Sequence, residues 1–242
     1  EKLEIIIENY KKGIDIDNNN IYLDTDHLIV SGTENTQNTW MDAKVDGVAV
    51  TPRNGKAVEI NSMWYNSLKI MENICKELRR KQKSKKICRT SKTNKKFFWS
   101  LTYPIIDPNS EIAKNIIQTA EKKLLTPYGL QSLAKGEEGY VPVYQGNPHD
   151  RDMTYHQGIT WTWLLGLYYN SLENMLKYAK TKKRKTEITE FKQETTKTFE
   201  KEISNRGCVG SIAEIYDSTK PYAPKGAFSQ AWSVAEILRI II

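Results

Sequence analysis

The chain has 242 residues, of which 39% are hydrophobic, 27% charged and 10% aromatic, a composition that excludes collagen, a coiled-coil rod and a wholly disordered chain. Its longest apolar stretches, Trp161–Tyr169 and Ile240–Ile242, fall well short of the roughly 18 residues that a membrane-spanning helix needs. The net charge is +7, but sixteen Lys and Arg and no acid lie in the runs Arg79–Lys96 and Lys177–Lys185, without which the chain would carry −9. Such runs are typical of solvated loops, and a nucleic-acid-binding patch is the weaker interpretation because aromatic residues are not interleaved along either run as they are in single-strand binding grooves.

Helical spacing of apolar residues dominates the chain. The predicted helices are Glu1–Lys12, Val58–Lys81, Glu111–Leu125, Gly158–Lys180, Glu187–Ile203 and Ser229–Ile242. For the third helix, Asn109-Ser110 provides a favourable N-cap after Pro108, and Thr126-Pro127 ends the pattern. Strand signals are few: Ile21–Val30 predicts a hairpin around Thr25-Asp26, and Val45–Val50 predicts an extended segment. The sequence therefore predicts a mainly α-helical fold.

Long loops rich in Trp, Tyr, Arg, His, Asp and Gly connect these helices, at 38–56, 126–157 and 207–226. Loops on a rigid scaffold usually carry functional residues. Aromatic faces pack against the C–H faces of sugars, while carboxylates and amides bind hydroxyls, so these loops suit a carbohydrate ligand. Alternatively the aromatic residues belong to the core, which is favoured for Trp163 and Trp232 and left open for Trp40 and Trp161.

Carboxylates are the chemically capable groups, because the sequence contains no Gly-x-Ser-x-Gly elbow, P-loop or Gly-x-Gly-x-x-Gly loop. Glycoside hydrolysis needs a protonated acid and an ionised base or nucleophile. Asp42, beside Trp40 and Met41, suits the acid, since a poorly solvated setting raises a carboxyl pKa. Glu214, in a loop between Gly210 and Pro221, suits the second role. The competing carboxylates are Glu59, Asp150 and Asp152.

Neither a metal nor another cofactor is expected. The three histidines form no His-Glu-x-x-His motif or close cluster. The three cysteines, Cys75, Cys88 and Cys208, lie far apart without a Cys-x-x-Cys pair, which favours free thiols and a cytoplasmic location.

Ordered sequence blocks across the chain carry a resemblance to a known family. They are Asn38–Val45, Thr51–Asn61, Trp64–Asn66, Leu124–Leu130, Arg151–Trp161, Ser211–Asp217 and Gln230–Ser233. The series resembles the glycogen debranching enzyme family, in its amylo-α-1,6-glucosidase domain. That resemblance implies an all-α fold, an (α/α)6 toroid of six inner and six outer helices similar to that of glucoamylases.

The resemblance also implies an activity, the release of α-1,6-linked glucose from branch points of glycogen, limit dextrin or another branched α-glucan, with inversion. Asp42 is then the general acid and Glu214 the general base, as in the comparable Ser-x-Glu-x-Tyr-Asp block of glucoamylases. Inversion requires the two carboxyl groups to lie roughly 6.5–9.5 Å apart, so that a water fits beside the base.

Substrate contacts follow from the same blocks. Trp40 and Trp161 are predicted stacking platforms, and Lys44 is a predicted neighbour of Asp42. The candidates for the sugar hydroxyls are Arg53, Glu59, Arg151, Asp152, His156 and Gln157. Structural alternatives stay open: Arg53 and Glu59 form an ion pair or cap the next helix, Arg151 and Asp152 brace a loop, and His156 starts a helix.

The length departs from the family, because the chain holds roughly half of the helices that the toroid needs. It begins without Met, and we expect a single catalytic domain over 1–242 that lacks the start of the barrel and an internal segment near 86–98. The alternatives are a non-catalytic glucan-binding remnant and a related α-glucosidase that acts on α-1,4 links or trehalose. The sequence predicts no nucleic-acid or membrane partner, and it indicates no oligomeric state.

Overall fold

The computed structural model describes residues 1–14, 16, 19–79, 102, 106–178 and 181–242, which form seven helices and nine short strands. The chain divides into two compact units, Glu1–Ile105 and Ile106–Ile242, and each is described by itself. Most of the basic run Arg79–Lys96, part of the run Lys177–Lys185, and the predicted missing segment near 86–98 lie outside the described residues. Among the described residues, no helix has both the length and the hydrophobicity that a bilayer crossing requires.

The first unit contains the helices α1 (Lys2–Lys12) and α2 (Val58–Glu77), as predicted, although α2 ends earlier than expected. The predicted hairpin is confirmed, with β1 (Tyr22–Leu23) antiparallel to β2 (Ile29–Val30). A second hairpin pairs β3 (Lys44–Val45) with β4 (Val48–Ala49) where only an extended segment was expected. Its two turn residues, Asp46 (φ 50°) and Gly47 (φ 82°), adopt the left-handed conformation of a tight hairpin turn.

The core of the first unit joins the helices to the first hairpin. It consists of Ile7, Ile29, Trp64, Leu68, Met71 and Cys75. The side-chain amide of Asn61 accepts a hydrogen bond from the Ile29 N–H at 2.7 Å and donates to the Ile29 carbonyl at 3.0 Å. This pair ties β2 to the start of α2, and it thereby fixes the loop 50–57 that carries Arg53.

The second unit contains five helices among the described residues: α3 (Glu111–Lys123), α4 (Pro148–Thr154), α5 (Leu164–Tyr178), α6 (Lys182–Asn205) and α7 (Ala231–Ile241). The predicted cap of α3 is confirmed, because the Ser110 hydroxyl accepts a hydrogen bond from the Ala113 N–H at 3.2 Å. Helix α4 was not predicted. Its capping box, in which Asn147 and Asp150 bond each other's backbone N–H, explains why so short a helix forms.

A five-stranded antiparallel sheet links these helices. It runs in the order β5 (Leu125–Thr126), β6 (Gly129–Gln131), β7 (Thr160–Trp161), β8 (Ile215–Tyr216) and β9 (Pro224–Lys225). The predicted helix over Gly158–Lys180 is therefore wrong in its first part, since Gly158 has φ 124° and the next residues pair with β6 and β8. Helices dominate the described residues, but the all-α prediction misses this sheet, and the toroid stays a prediction.

Candidate active site

The carboxylate of Glu214 is the best-ordered functional group of the second unit. Glu214 directly precedes β8 and is 9% exposed. Its Oε2 accepts a hydrogen bond from the Ala227 N–H at 2.8 Å, and its backbone N–H donates to the Ala227 carbonyl at 2.9 Å. The main chain beside β9 therefore holds both the backbone and the carboxylate of Glu214.

A tyrosine completes the contacts of this carboxylate. The hydroxyl of Tyr155, at the end of α4, donates a hydrogen bond to Glu214 Oε1. Two donors on two different oxygens fix the plane of the carboxylate, because rotation of the side chain would break both bonds. Both oxygens of Glu214 therefore accept hydrogen bonds from fixed donors.

Gly226 allows the chain to pass close to this carboxylate. Its φ of +70° belongs to the left-handed region, and a Cβ atom placed there would lie 2.5 Å from Glu214 Oε2. Both facts favour glycine, the first through backbone strain and the second through a steric clash. The close approach of Gly226 is what brings the Ala227 N–H onto Glu214.

Aromatic rings form the wall beside Tyr155. The Tyr155 ring lies 4.8 Å from the Trp161 ring and 5.5 Å from the Tyr144 ring, measured between centroids. Trp161 is 1% exposed, and the His156 ring stacks on it with the ring centroids 5.0 Å apart. The Nε1 of Trp161 donates a hydrogen bond to the Tyr155 carbonyl at 3.2 Å. The face of Trp161 is therefore not open to a sugar in this structure, and Trp161 and the buried His156 support Tyr155.

Trp232, expected in the core, instead has an accessible side chain. It is 37% exposed, stacks on Trp163 at 5.0 Å and meets the Trp161 ring edge-on at 6.0 Å. The neighbouring residue of α7, Ser233, places its hydroxyl 3.5 Å from the Glu214 carbonyl. Trp232 thus continues the aromatic wall of Tyr155 and Trp161 toward solvent.

Several predicted hydroxyl-binding residues lie on or next to α4. Arg151 is half-buried and Asp152 is exposed. Burial raises the pKa of the Tyr144 hydroxyl, and the charges of Arg151, Asp152 and Glu214 also act on it. Gln157 is half-buried, and its carbonyl accepts a hydrogen bond from the Val141 N–H at 2.6 Å.

Asp217 is a second buried carboxylate, which the sequence interpretation did not select. It is 7% exposed, follows β8 directly, and its Oδ1 accepts the Tyr144 N–H at 2.8 Å. Tyr155 and Asp217 both lie inside the sequence blocks of the resemblance, so the signal that could have found them was present. To select either residue from the sequence, however, one would need to know which strand lies beside which loop.

The remaining predicted residues lie in the first unit. Asp42 is exposed, in the loop before β3, and Trp40 is half-buried. Lys44 is exposed, and its Nζ donates to the Asn35 carbonyl at 3.1 Å. The poorly solvated setting expected for Asp42 from its neighbours Trp40 and Met41 is thus not reflected in its exposure.

Arg53 and Glu59 satisfy each other. Arg53 Nε donates to Glu59 Oε1 at 3.2 Å, and its Nη2 donates to Glu59 Oε2. Glu59 is 1% exposed and lies in the first turn of α2. This two-bond arrangement matches the ion-pair alternative, in which the pair orders the loop before α2.

Arg151, Asp152 and Glu214 all belong to the second unit, where Tyr155 contacts Glu214 directly and packs against Tyr144. The first unit contains the other predicted site residues: Asp42, Trp40, Lys44, Arg53 and Glu59.

Comparison with known families identifies the chain. The sequence model of a family described as amylo-alpha-1,6-glucosidase matches residues 1–101 and residues 82–239. The two matched stretches together cover nearly the whole chain, and both units are included. The family is related to glycoside hydrolases, in agreement with a carboxylate held in a fixed orientation beside an aromatic wall. The chain belongs to the amylo-alpha-1,6-glucosidase family.

Proposed function

We propose that this protein is a glycoside hydrolase that releases glucose from α-1,6 branch points of glycogen or limit dextrin by inversion, with Glu214 as the general base. The observation that carries the proposal is the fixed Glu214 carboxylate, which accepts hydrogen bonds from the Tyr155 hydroxyl and the Ala227 N–H. Membership of the family supports glycosidase chemistry. The branch-point substrate is proposed from the resemblance to debranching enzymes.

In this mechanism the Glu214 carboxylate takes a proton from a water molecule as that water attacks the anomeric carbon. Asp42 donates a proton to the departing glycosidic oxygen, and the bond between that oxygen and the anomeric carbon breaks. The attack of the water and the departure of the glycosidic oxygen share one oxocarbenium-like transition state. Inversion of an α-linkage yields β-glucose, a product that distinguishes this mechanism from retention.

For substrate binding we assign Trp232 as the stacking platform of the second unit, because it is 37% exposed whereas Trp161 is 1% exposed. Arg151, Asp152 and Gln157 are the proposed partners of the sugar hydroxyls. His156 supports the wall, and the contacts proposed from the first unit come from Trp40, Lys44, Arg53 and Glu59. Arg151 has a buried Nε without a hydrogen-bond partner among the described residues, which favours a ligand contact for its guanidinium.

The proposal includes one catalytic domain over 1–242, derived from an (α/α)6 toroid that has lost a segment near 86–98. The two matched stretches overlap at residues 82–101, and this interruption of the family match supports a missing segment there. Cys75 and Cys208 are free thiols, in keeping with the cytoplasmic location that the sequence predicts.

The direct test is incubation of the purified chain with phosphorylase limit dextrin, followed by an assay of free glucose. We expect glucose release by the wild-type protein and none above background by Glu214→Gln. Proton NMR of the fresh product is expected to show β-glucose before mutarotation. No glucose release by a folded wild-type chain would overturn the proposed hydrolase.

Glucan binding without hydrolysis is the second candidate function, and the exposure of Asp42 favours it, because a general acid usually needs a poorly solvated site. Sedimentation with glycogen, without glucose release, would support this alternative. Faster hydrolysis of maltosyl substrates or trehalose than of isomaltosyl substrates would instead indicate a related α-glucosidase.

A further inference from the structure

The carboxyl group of Glu202 is buried, and none of the roles assigned above uses it. Glu202 lies near the end of α6, is 0% exposed, and shares the buried face of that helix with Ile188, Thr195 and Phe199. Their spacing is that of a core-facing helical stripe. A carboxyl group in such a stripe loses its hydration, so its presence calls for a specific reason.

The hydroxyl of Tyr216 in β8 interacts with this carboxyl group, and Tyr216 is also 0% exposed. Burial raises the pKa of Glu202, and this rise is partly offset by the Tyr216 hydroxyl and by Arg206. Burial also raises the pKa of Tyr216. Among residues 1–79, 106–178 and 181–242, no well-aligned hydrogen bond reaches either Glu202 oxygen or the Tyr216 hydroxyl.

Arg206 and Tyr128 are the other titratable or charged groups that face this pair. Arg206 Nη1 lies 3.7 Å from Glu202 Oε2, which is longer than a hydrogen bond, and it donates to the Tyr128 hydroxyl at 2.5 Å. Its Nη2 donates to the Pro221 carbonyl at 2.6 Å and to the Tyr222 carbonyl. The donors of Arg206 are thus directed mainly at groups other than Glu202.

These contacts converge on Tyr216, the second residue of β8. The Tyr128 ring stacks on the Tyr216 ring at 4.6 Å with an interplanar angle of 16°. Tyr216 follows Glu214 by two residues and directly precedes Asp217. A shift of the Tyr216 side chain would therefore move the strand that positions the Glu214 carboxylate.

We propose that Glu202 is a positioning residue for Glu214: as an uncharged carboxylic acid beside Tyr216, it holds the second residue of β8 in place. The role rests on the proposed function, in which Glu214 is the base. An uncharged Glu202 agrees with its complete burial and with the lack of a direct hydrogen bond from Arg206, although the two groups lie within ion-pair distance at 3.7 Å. Nothing in the family match assigns this residue a role.

The direction in which the stability of the protein changes with pH tests the protonation state of Glu202. The pKa of Glu202 in the folded protein is raised above the ordinary value of 4.5, so its stabilising contribution is complete below that value. The contribution is lost as the pH rises through the raised folded pKa. Glu202→Gln does not titrate, and we expect its stability relative to the wild type to increase across this range.

Urea unfolding of the wild-type protein and Glu202→Gln at a series of pH values measures this difference and requires no catalytic activity. Glu200→Gln is the matched control, because Glu200 lies on the same helix and is exposed, and we expect it to show no such trend. A relative stability of Glu202→Gln that falls with rising pH would show an ionised Glu202 paired with Arg206, and would overturn the proposal.

The positioning role is tested with kcat and KM on limit dextrin. We expect Glu202→Ala to lower kcat by about tenfold with little change in KM, because a small displacement of a catalytic group is costly. Glu202→Gln should keep kcat within about twofold of the wild type, since the amide fills the same space. Tyr216→Phe, which keeps the ring stack, provides a second variant if Glu202→Ala does not fold.

Equal kcat values for the wild type, Glu202→Ala and Tyr216→Phe would overturn the positioning role while leaving the hydrolase intact. Absence of glucose release by the wild type would instead overturn the proposed function, and the positioning role with it. The unfolding measurement would still decide whether Glu202 is uncharged.

Discussion

The loops that carry Glu214 and Asp42 give their carboxylates very different surroundings. Glu214 is 9% exposed, lies next to a central strand of a five-stranded sheet, and accepts hydrogen bonds from Tyr155 and Ala227. Asp42 is exposed and precedes a hairpin of two-residue strands. The proposed base is therefore shielded from solvent within its own unit, whereas the proposed acid is exposed.

This difference reflects what each role requires. A general base needs an ionised oxygen in a fixed direction, and one small sheet with a single tyrosine provides it. A general acid needs surroundings that retain its proton, which are usually poorly solvated, whereas Asp42 is exposed. We therefore expect substitutions around Glu214 and Asp42 to affect kcat in different ways.

The largest effect is expected from the two carboxylates themselves. Glu214→Gln should lower kcat on limit dextrin by about 10³-fold, because general base catalysis is lost. Asp42→Asn should also lower it, but the loss should largely disappear with α-glucosyl fluoride, since fluoride leaves without a proton. Steady-state rates on both substrates measure the contrast. Equal losses for Asp42→Asn on both substrates would contradict the assignment of Asp42 as the acid.

The next largest effect concerns the approach of the chain to Glu214. Gly226→Ala adds a Cβ atom 2.5 Å from Glu214 Oε2, and we expect kcat to fall by about 10²-fold, because the carboxylate must move. Gly136→Ala is the matched control, since Gly136 also has a positive φ, +96°, but has no atom within 4 Å of the added Cβ. Similar kcat values for the two variants would show that backbone strain, and not the clash, determines the effect.

A smaller effect is expected from the tyrosine on Glu214. Tyr155→Phe removes one of two donors to the carboxylate while keeping the ring packed against Trp161. We expect kcat to fall by about tenfold, close to the value of one hydrogen bond to a charged group. Tyr178→Phe, at an exposed position at the end of α5, should have no effect. Unchanged kcat in Tyr155→Phe would mean that the Ala227 N–H alone orients the base.

The smallest effect is expected from the aromatic platform. Trp232→Ala should raise KM for limit dextrin by about fivefold with little change in kcat, because a stacking contact contributes roughly 1 kcal/mol. Leu238→Ala removes a similarly exposed apolar side chain from the same helix and should leave KM unchanged. A larger loss in kcat than in KM would place Trp232 among the groups that act on the transition state.

Much of the helical structure could be predicted because its signals are local. Ser110 caps α3 as expected, and the apolar spacing predicts the extents of α1 and α2 well, although it does not identify their buried faces, since Leu3 and Ile6 of α1 are exposed. The sheet could not be predicted, because strands such as Thr160–Trp161 and Ile215–Tyr216 are too short to show alternation. The apolar run that begins at Gly158 fits a helix and a buried strand equally well, and only its pairing with distant segments decides between them.

The site was predictable in part for the same reason. Glu214 could be selected from its sequence block, and its buried setting agrees with a functional role. Its partners Tyr155 and Ala227, and the exposed face of Trp232, depend on contacts between separate segments. The prediction that Trp161 offers a stacking face did not anticipate that His156 would cover it.

The connectivity of the small sheet has a consequence for the order in which the protein folds. Its central strands pair Leu130 with Trp161 and Trp161 with Ile215, residues far apart in the chain, and each strand contributes few hydrogen bonds. Contacts that close such long loops form late, after the local helices. We therefore expect the base to be assembled in the last stage of folding. On partial denaturation, catalytic competence should vanish while most of the helical circular dichroism signal persists.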